Sequence, residues 1–158
     1  MYKIVDIRPG DIIAVHGDDI LSAIIETAIV APYSHLALVG QGHLIEALYH
    51  VTRSSLDKYQ SSGDVFRVSA DGTQVGQAIA AAESKVGQPY GWQMVLEDAG
   101  RDLLHLPIHP RLDDKTLDCS GLIYWAWLKA GIVLTHAPVP TPADLVYSPL
   151  LLGKRRWE

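Results

Sequence analysis

The chain contains a single cysteine, Cys119, within the segment TLDCSGLIYWAWLKAGI. Asp118 is a suitable N-cap for the apolar run that follows, which places Cys119 in the first turn of a predicted helix. The N–H groups and the dipole at a helix start favour a thiolate, and the same N–H groups can donate to a developing oxyanion. The neighbours Asp118 and Ser120 indicate a polar, accessible helix start. An inert, buried thiol is the alternative interpretation.

A thiol nucleophile requires a base, normally histidine, and a group that orients the base. Among the seven histidines, His35 opens the apolar run LALV, so we expect it at the end of an interior strand. His43 and Glu46 lie on the next predicted strand of the same hairpin. Glu46 occupies the apolar segment LIEAL, where a carboxylate is costly unless it is paired. A solvent-facing Glu46 and a turn residue at His43 are the alternatives.

The histidines show no metal-binding pattern. His16, His35, His43 and His50 have no i, i+4 spacing and belong to no HExxH or Cys/His motif. One cysteine can form neither an internal disulfide nor a thiolate zinc site. We therefore predict no metal and no cofactor.

Length and composition indicate one globular domain spanning 1–158, with 48% hydrophobic and 20% charged residues. The net charge of −5 argues against a nucleic-acid partner. The N-terminus lacks the apolar run of a secretory signal, and the apolar stretch 20–31 is too short and too polar to span a bilayer. We expect a cytoplasmic protein without stable membrane insertion, unless it is exported by a route that needs no cleaved signal.

Periodicity and turn residues predict the elements that must position these groups, and together they indicate an α+β fold with antiparallel strands. The predicted strands are 12–16, 35–39, 43–49 and 64–69, with a tight turn at Gly40-Gln41-Gly42. The predicted helices are 20–31, 73–86, 90–104 and 119–130, the last ending at Gly131. Residues 106–117 read as a loop. The proline-rich C-terminal residues are predicted to wrap around the domain, with a short helix near 142–147.

Four segments resemble the NlpC-type papain-like cysteine hydrolases. DCSGLIYWAWLKAGI is similar to their nucleophile motif and VGQPYGW to the segment before it. PGDIIAV is similar to their P-G-D-hydrophobic strand, and SHLALVGQGHLIEAL to their histidine-bearing segment and the strand that follows it. Here the histidine hairpin precedes the cysteine, an order that resembles the circularly permuted branch of YiiX- and YaeF-like and lecithin:retinol acyltransferase-like proteins. The resemblance implies a permuted papain-like fold, in which a central antiparallel sheet or small barrel packs against helices and the nucleophile lies at a helix N-terminus.

The resemblance assigns Cys119 as nucleophile and His35 as base. Glu46 takes the position of the third polar residue, where common members have histidine, and a carboxylate can also orient an imidazole. Tyr90 matches a tyrosine that lines the site. Ser34, Asp118 and Ser120 flank the two reactive residues and are candidates for substrate binding. An insertion at about 93–118 departs from the common family pattern and is expected to wall the cleft.

The activity implied is hydrolysis of an amide bond in a small peptide, plausibly a cell-wall peptide, by a cysteine peptidase or amidase. A lipid acyl-ester hydrolase or acyltransferase using the same residues is the alternative, since the permuted relatives include lipid-handling enzymes. A binding module without catalysis is the third interpretation, against which the complete set of Cys119, His35 and Glu46 argues.

Overall fold

A computed structural model describes residues 7–16, 33–88, 118–138 and 140–157, with the backbone alone for 154–156. In chain order the elements are β1 (Ile12–Val15), β2 (His35–Val39), β3 (His43–Ala47), β4 (Val51–Ser55), β5 (Gly63–Val68), α1 (Gly72–Glu83), α2 (Cys119–Lys129), α3 (Pro142–Val146) and β6 (Leu151–Arg156). Antiparallel strands combined with helices confirm the predicted α+β class.

Within the described residues the strands form one open sheet in the order β4-β3-β2-β1-β5-β6, and every neighbouring pair is antiparallel. The strand of His35 is interior, as predicted. The turn between β2 and β3 closes through the Gly40 N–H, which donates to the His43 carbonyl at 2.8 Å. Gly42 adopts φ +81°, a left-handed conformation that glycine reaches without steric cost. This tight turn fixes the register that pairs Ala37 with Glu46.

Side chains alternate between the two faces of this sheet and form two separate apolar clusters. On the helical face, Ile12 and Ala14 of β1 pack in the cluster that also holds α1 and α2 residues, including the fully buried Trp127. On the opposite face, Ile13 and Val15 pack around Trp157, and we call this the Trp157 face. The sheet is therefore buried on both sides, which holds the interior strands rigidly.

Two caps define the helices that cover the sheet. Asp71 and Gln74 form a capping box at the start of α1. Asp118 caps α2 through the Gly121 N–H. Helix α2 ends as predicted, because Gly131 adopts φ +80° and the chain turns there. Since α2 is apolar over most of its circumference, its first turn is buried together with its middle.

The C-terminal region differs in part from the prediction. The short helix is confirmed as α3, but the following residues form the edge strand β6 on β5. Backbone pairing with β5 creates this strand, because the sequence LLGKRR lacks a strong alternating pattern. Strand β4 was not predicted either, because its sequence VTRSS also lacks a strong alternating pattern. The predicted elements at 20–31, 90–104 and 106–117, and the insertion at about 93–118 apart from Asp118, lie outside the described residues. Among the described helices, none is both long and apolar enough for a bilayer crossing.

Candidate active site

Cys119 is the first residue of α2, and Asp118 is its N-cap. The Asp118 side chain accepts a hydrogen bond from the Gly121 N–H. The N–H groups of Cys119 and Ser120 also lie in the first turn, where a helix offers its own N–H groups no acceptor. The sulfur therefore lies where a helix stabilises negative charge.

The predicted accessibility of this helix start is wrong. Cys119 is 6% exposed, Asp118 4% and Ser120 1%. The reason is that the first turn of α2 packs within the helical-face cluster, to which Cys119 itself belongs. Burial raises the pKa of the Asp118 carboxyl to about 6, although its hydrogen bond from Gly121 acts in the opposite direction. The thiol thus lies in a mostly buried environment, next to a carboxyl group whose pKa is raised.

His35 is the first residue of β2 and contacts both predicted partners. Its Nε2 lies 2.7 Å from Glu46 Oε2. Burial alone would lower the pKa of His35, but its interactions with the neighbouring Cys119 and its hydrogen bond with Glu46 raise the pKa to about 9. The structure therefore brings Cys119, His35 and Glu46 together, and this environment favours an imidazolium at neutral pH.

The register explains how Glu46 reaches this ring. Glu46 is paired with Ala37, and His35 lies two residues before Ala37 on the same strand. Opposite residues and alternate residues share a face, so both side chains extend from the Trp157 side of the sheet. His35 is the first residue of β2, and at this strand end it also interacts with Cys119 of the helical-face cluster. The side chain of Glu46 is fully buried and that of His35 is 15% exposed. The interpretation of Glu46 as a solvent-facing residue is therefore excluded.

Four donors surround the Glu46 carboxylate. Oε2 accepts from His35 and, at 2.6 Å, from the Tyr59 hydroxyl. Oε1 accepts from Lys58 Nζ at 2.5 Å and from the Ser54 hydroxyl. Burial would raise the pKa of Glu46, but these hydrogen bonds outweigh it and lower the pKa to about 2. Glu46 is consequently a carboxylate at any physiological pH.

The three supporting residues Ser54, Lys58 and Tyr59 were missed in the sequence. The Tyr59 ring packs against the His35 ring with centroids 5.7 Å apart, and Lys58 Nζ lies 4.9 Å from the Tyr59 ring centre. Burial and the neighbouring Glu46 raise the pKa of the Tyr59 hydroxyl, so Tyr59 remains a donor. Lys58 and Tyr59 follow β4 in a turn without a motif, so no local signal could have identified them.

The predicted substrate-binding residues that the structure describes lie at different places around this site. Ser34 precedes His35, and its N–H donates to the Val15 carbonyl. The Ser120 hydroxyl lies 3.9 Å from the Cys119 sulfur. Tyr90 lies outside the described residues. The binding roles of these residues, like that of Asp118, stay predictions.

His43 does not join the site. It pairs through Nε2 with Glu83 of α1, at 2.5 Å, and Arg53 contacts the same carboxylate. Arg53 is the first cause of the lowered pKa of Glu83, with a smaller contribution from the His43 hydrogen bond. This pair ties the β2–β3 hairpin to α1, so His43 is more than a turn residue.

A second histidine and carboxylate pair lies on the helical face of the sheet. His16 Nε2 lies 3.0 Å from Asp64 Oδ2, and the Tyr33 hydroxyl donates to the same oxygen at 2.6 Å. The Asp64 side chain is 2% exposed and that of His16 38%. Long-range pairing of β1 with β5, which sets Ala14 opposite Asp64, creates this contact.

Within the described parts of the chain, no three His, Cys, Asp or Glu side chains are arranged to hold a metal ion. The three predicted site residues interact with one another. The carboxylate of Glu46 also carries the cation of Lys58, which opposes the approach of a second cation.

Comparison with known proteins supports the fold. No protein-family model matches the sequence, and no curated protein matches it. Among solved structures, the chain is similar to the metalloprotein YiiX from Escherichia coli O157:H7, which carries the designation DUF1105. The TM-score is 0.73 at 17% sequence identity, over 96% of this chain and 98% of that one. The chain therefore shares the fold of the YiiX structure over nearly its whole length.

Proposed function

We propose that the protein is a thiol hydrolase in which Cys119 is the nucleophile, His35 the acid and base, and Glu46 the group that orients His35. The observation that carries this proposal is that one partly buried imidazole is hydrogen-bonded to a fully buried carboxylate and interacts with a thiol at a helix N-terminus. Because Nε2 faces Glu46, the other ring nitrogen, Nδ1, is left for the sulfur. This order of groups is what nucleophilic thiol catalysis requires.

The reaction proceeds in two halves. The Cys119 thiolate adds to the substrate carbonyl carbon, and the N–H groups at the start of α2 donate to the oxyanion. As the tetrahedral intermediate collapses, His35 gives its proton to the leaving amine or alkoxide, and a thioester to Cys119 remains. Water then attacks the thioester carbonyl while His35 accepts its proton. The thiolate leaves, the acid is released and the imidazolium–thiolate pair is restored.

The proposed substrate is an amide of a small peptide, which is what the motif resemblance implies, and an acyl ester of a lipid is the alternative. The fold shared with YiiX is compatible with both. YiiX is described as a metalloprotein; among the described residues of this chain, no three His, Cys, Asp or Glu side chains are arranged to hold a metal ion.

The first test is alkylation of Cys119 by iodoacetamide. An unperturbed thiol has a pKa of about 8.5 and reacts little at pH 6, whereas a thiolate paired with imidazolium reacts readily. We expect the wild type to be alkylated at pH 6 and the His35→Ala variant to react about 100-fold more slowly. Mass spectrometry quantifies the reaction, since the chain has no other thiol. Equal rates for the two proteins at pH 6 would refute the ion pair and favour a binding module.

The second test identifies the substrate class. Wild type and Cys119→Ala are assayed in parallel on muropeptides and on phospholipid vesicles. Cys119→Ala should reduce turnover by at least about 10³-fold and leave the circular dichroism spectrum unchanged. Turnover of muropeptides alone supports the amidase, and turnover of phospholipids alone supports the acyl hydrolase. Full turnover by the alanine variant would show that the mechanism is wrong.

A further inference from the structure

A lysine next to the candidate site has no role in the mechanism above. Lys58 lies in the turn between β4 and β5, and its Nζ is 2.5 Å from Glu46 Oε1. Its side chain is 35% exposed, whereas that of Glu46 is fully buried. The Lys58 cation therefore lies at the border between solvent and the buried carboxylate.

We propose that Lys58 is a positioning residue that cancels the charge of Glu46 and so sets the pH range in which Cys119 and His35 form an ion pair. This inference rests on the proposed function. With Lys58 present, Glu46 accepts a hydrogen bond from His35, and the Glu46–Lys58 pair as a whole has no net charge. Glu46 and Lys58 together then act as a neutral third polar group.

The charges around the ion pair support this role. Among the described residues, the titratable groups that interact with His35 are Cys119 from α2, Glu46 from β3 and Tyr59 from the β4–β5 turn. Asp118, the N-cap of α2, precedes the thiol. Each of these groups is neutral when protonated and negative when ionised. Among the described residues, Lys58 is therefore the cation that can balance their charge. Arg53, the other nearby cation on this hairpin, is bound to Glu83.

Loss of the Lys58 charge has a defined electrostatic sign. An unbalanced Glu46 carboxylate opposes formation of the neighbouring thiolate, so a higher pH is needed to form it. The same carboxylate stabilises the imidazolium, so a higher pH is also needed to remove the His35 proton. Both midpoints should move upward together, which separates an effect of charge from a general loosening of the site.

The geometry of Glu46 does not depend on Lys58 alone. His35, Tyr59 and Ser54 still donate to the carboxylate when the ammonium is absent. Lys58→Met keeps most of the aliphatic stem that packs beside Tyr59. Lys58→Gln keeps polar N–H groups without the charge, and Lys58→Arg keeps the charge. Lys129→Met removes the same charge at the last residue of α2, about 15 Å along the helix from Cys119.

The experiment measures the alkylation rate of Cys119 by iodoacetamide from pH 4 to 10 and the His35 titration by NMR. We expect Lys58→Met and Lys58→Gln to raise both midpoints by about one pH unit, and Lys58→Arg and Lys129→Met to keep the wild-type values. If Lys58→Met fails to fold by circular dichroism, the comparison of Lys58→Gln with Lys58→Arg decides.

Three contrary results are distinguishable. Unchanged midpoints in Lys58→Gln, with a wild type that reacts at pH 6, overturn the role of Lys58 and leave the proposed function intact. A wild type that titrates as an ordinary thiol overturns both. An upward shift that Lys58→Arg fails to reverse also overturns the inference, since the charge would then not be the cause.

Discussion

The two faces of the sheet carry similar sets of side chains in different surroundings. On the Trp157 face, His35, Glu46 and Tyr59 are in contact. On the helical face, His16, Asp64 and Tyr33 form a matching set, in which the hydroxyl and the imidazole share one carboxylate oxygen. Both carboxylates are buried. A histidine next to a buried carboxylate and a tyrosine is therefore not enough to identify an active site.

The difference between the two sets lies in what faces the imidazole. His35 contacts the single thiol of the chain, at a helix N-terminus, and its side chain is 15% exposed. The His16 side chain is 38% exposed, and its ring packs against Tyr33 at 4.8 Å between centroids. Tyr33 also lines a cavity of about 380 Å³ between β5 and α3. In the proposed mechanism the first set exchanges a proton with the sulfur, whereas the second links the end of β1 to β5.

The largest expected difference follows from removing each histidine. His35→Ala deletes the proposed acid and base and should reduce turnover about 10³-fold on whichever substrate is found active. His16→Ala should change turnover less than about 3-fold and lower thermal stability instead. Steady-state kinetics and calorimetry on both variants check this. A larger catalytic loss in His16→Ala would reverse the assignment of the two faces.

Acid unfolding provides the next largest contrast. The pKa of Glu46 is about 2 in the folded protein and about 4.5 when unperturbed. A lowered pKa gives stability that is present above pH 4.5 and is lost as the pH falls towards 2. The contribution is up to about 3 kcal/mol of unfolding free energy. Urea titrations between pH 2 and 6 should show this loss in wild type and Asp64→Asn, and a flatter profile in Glu46→Gln. The same slope in Glu46→Gln as in wild type would contradict it.

The two carboxylates should also differ in catalysis. Glu46→Gln keeps the size of the side chain but weakens the orientation of His35, so turnover should fall about 10- to 100-fold, less than for His35→Ala. Asp64→Asn, the matched change on the helical face, should stay within about 3-fold of wild type. A Glu46→Gln loss that equals or exceeds that of His35→Ala would move the orienting role to another residue. His43 would be tested first, although its observed partner is Glu83.

The smallest contrast is between the tyrosines. Tyr59→Phe removes one of four donors to Glu46 while keeping the ring that packs on His35, so turnover should fall about 2- to 10-fold. Tyr33→Phe should have no catalytic effect. Comparison of kcat/KM for the two variants is sufficient, and an equal loss in both would show that the hydroxyls act on stability alone.

The sequence predicted the parts of the site that depend on local structure. The helix start at Cys119 follows from the Asp118 cap and the apolar run behind it, and the strand of His35 follows from LALV between turn residues. The tight turn at Gly40 to Gly42 made it possible to expect Glu46 on the adjacent strand. Each of these features is specified by fewer than about 15 neighbouring residues.

The features that were missed depend on contacts between distant segments. The burial of Cys119 required knowledge of how α2 packs on the sheet, so the helix start was wrongly expected to be accessible. Strand β6 forms because β5 offers it backbone partners. Lys58 and Tyr59 reach Glu46 only because the turn after β4 folds back over the Trp157 face.

The sequence by itself identified Cys119, His35 and Glu46 as candidates for the proposed thiol hydrolysis and indicated on which elements they lie, because capping, periodicity and turn residues act over short distances. The tertiary structure decided which of two histidine–carboxylate pairs meets the thiol. It also decided that Glu46 is buried and charge-balanced by Lys58. The strand register and the turn after β4 bring together groups that are far apart in the chain. The burial and charge of these groups then set the protonation of His35, which the spacing of residues in the sequence does not predict.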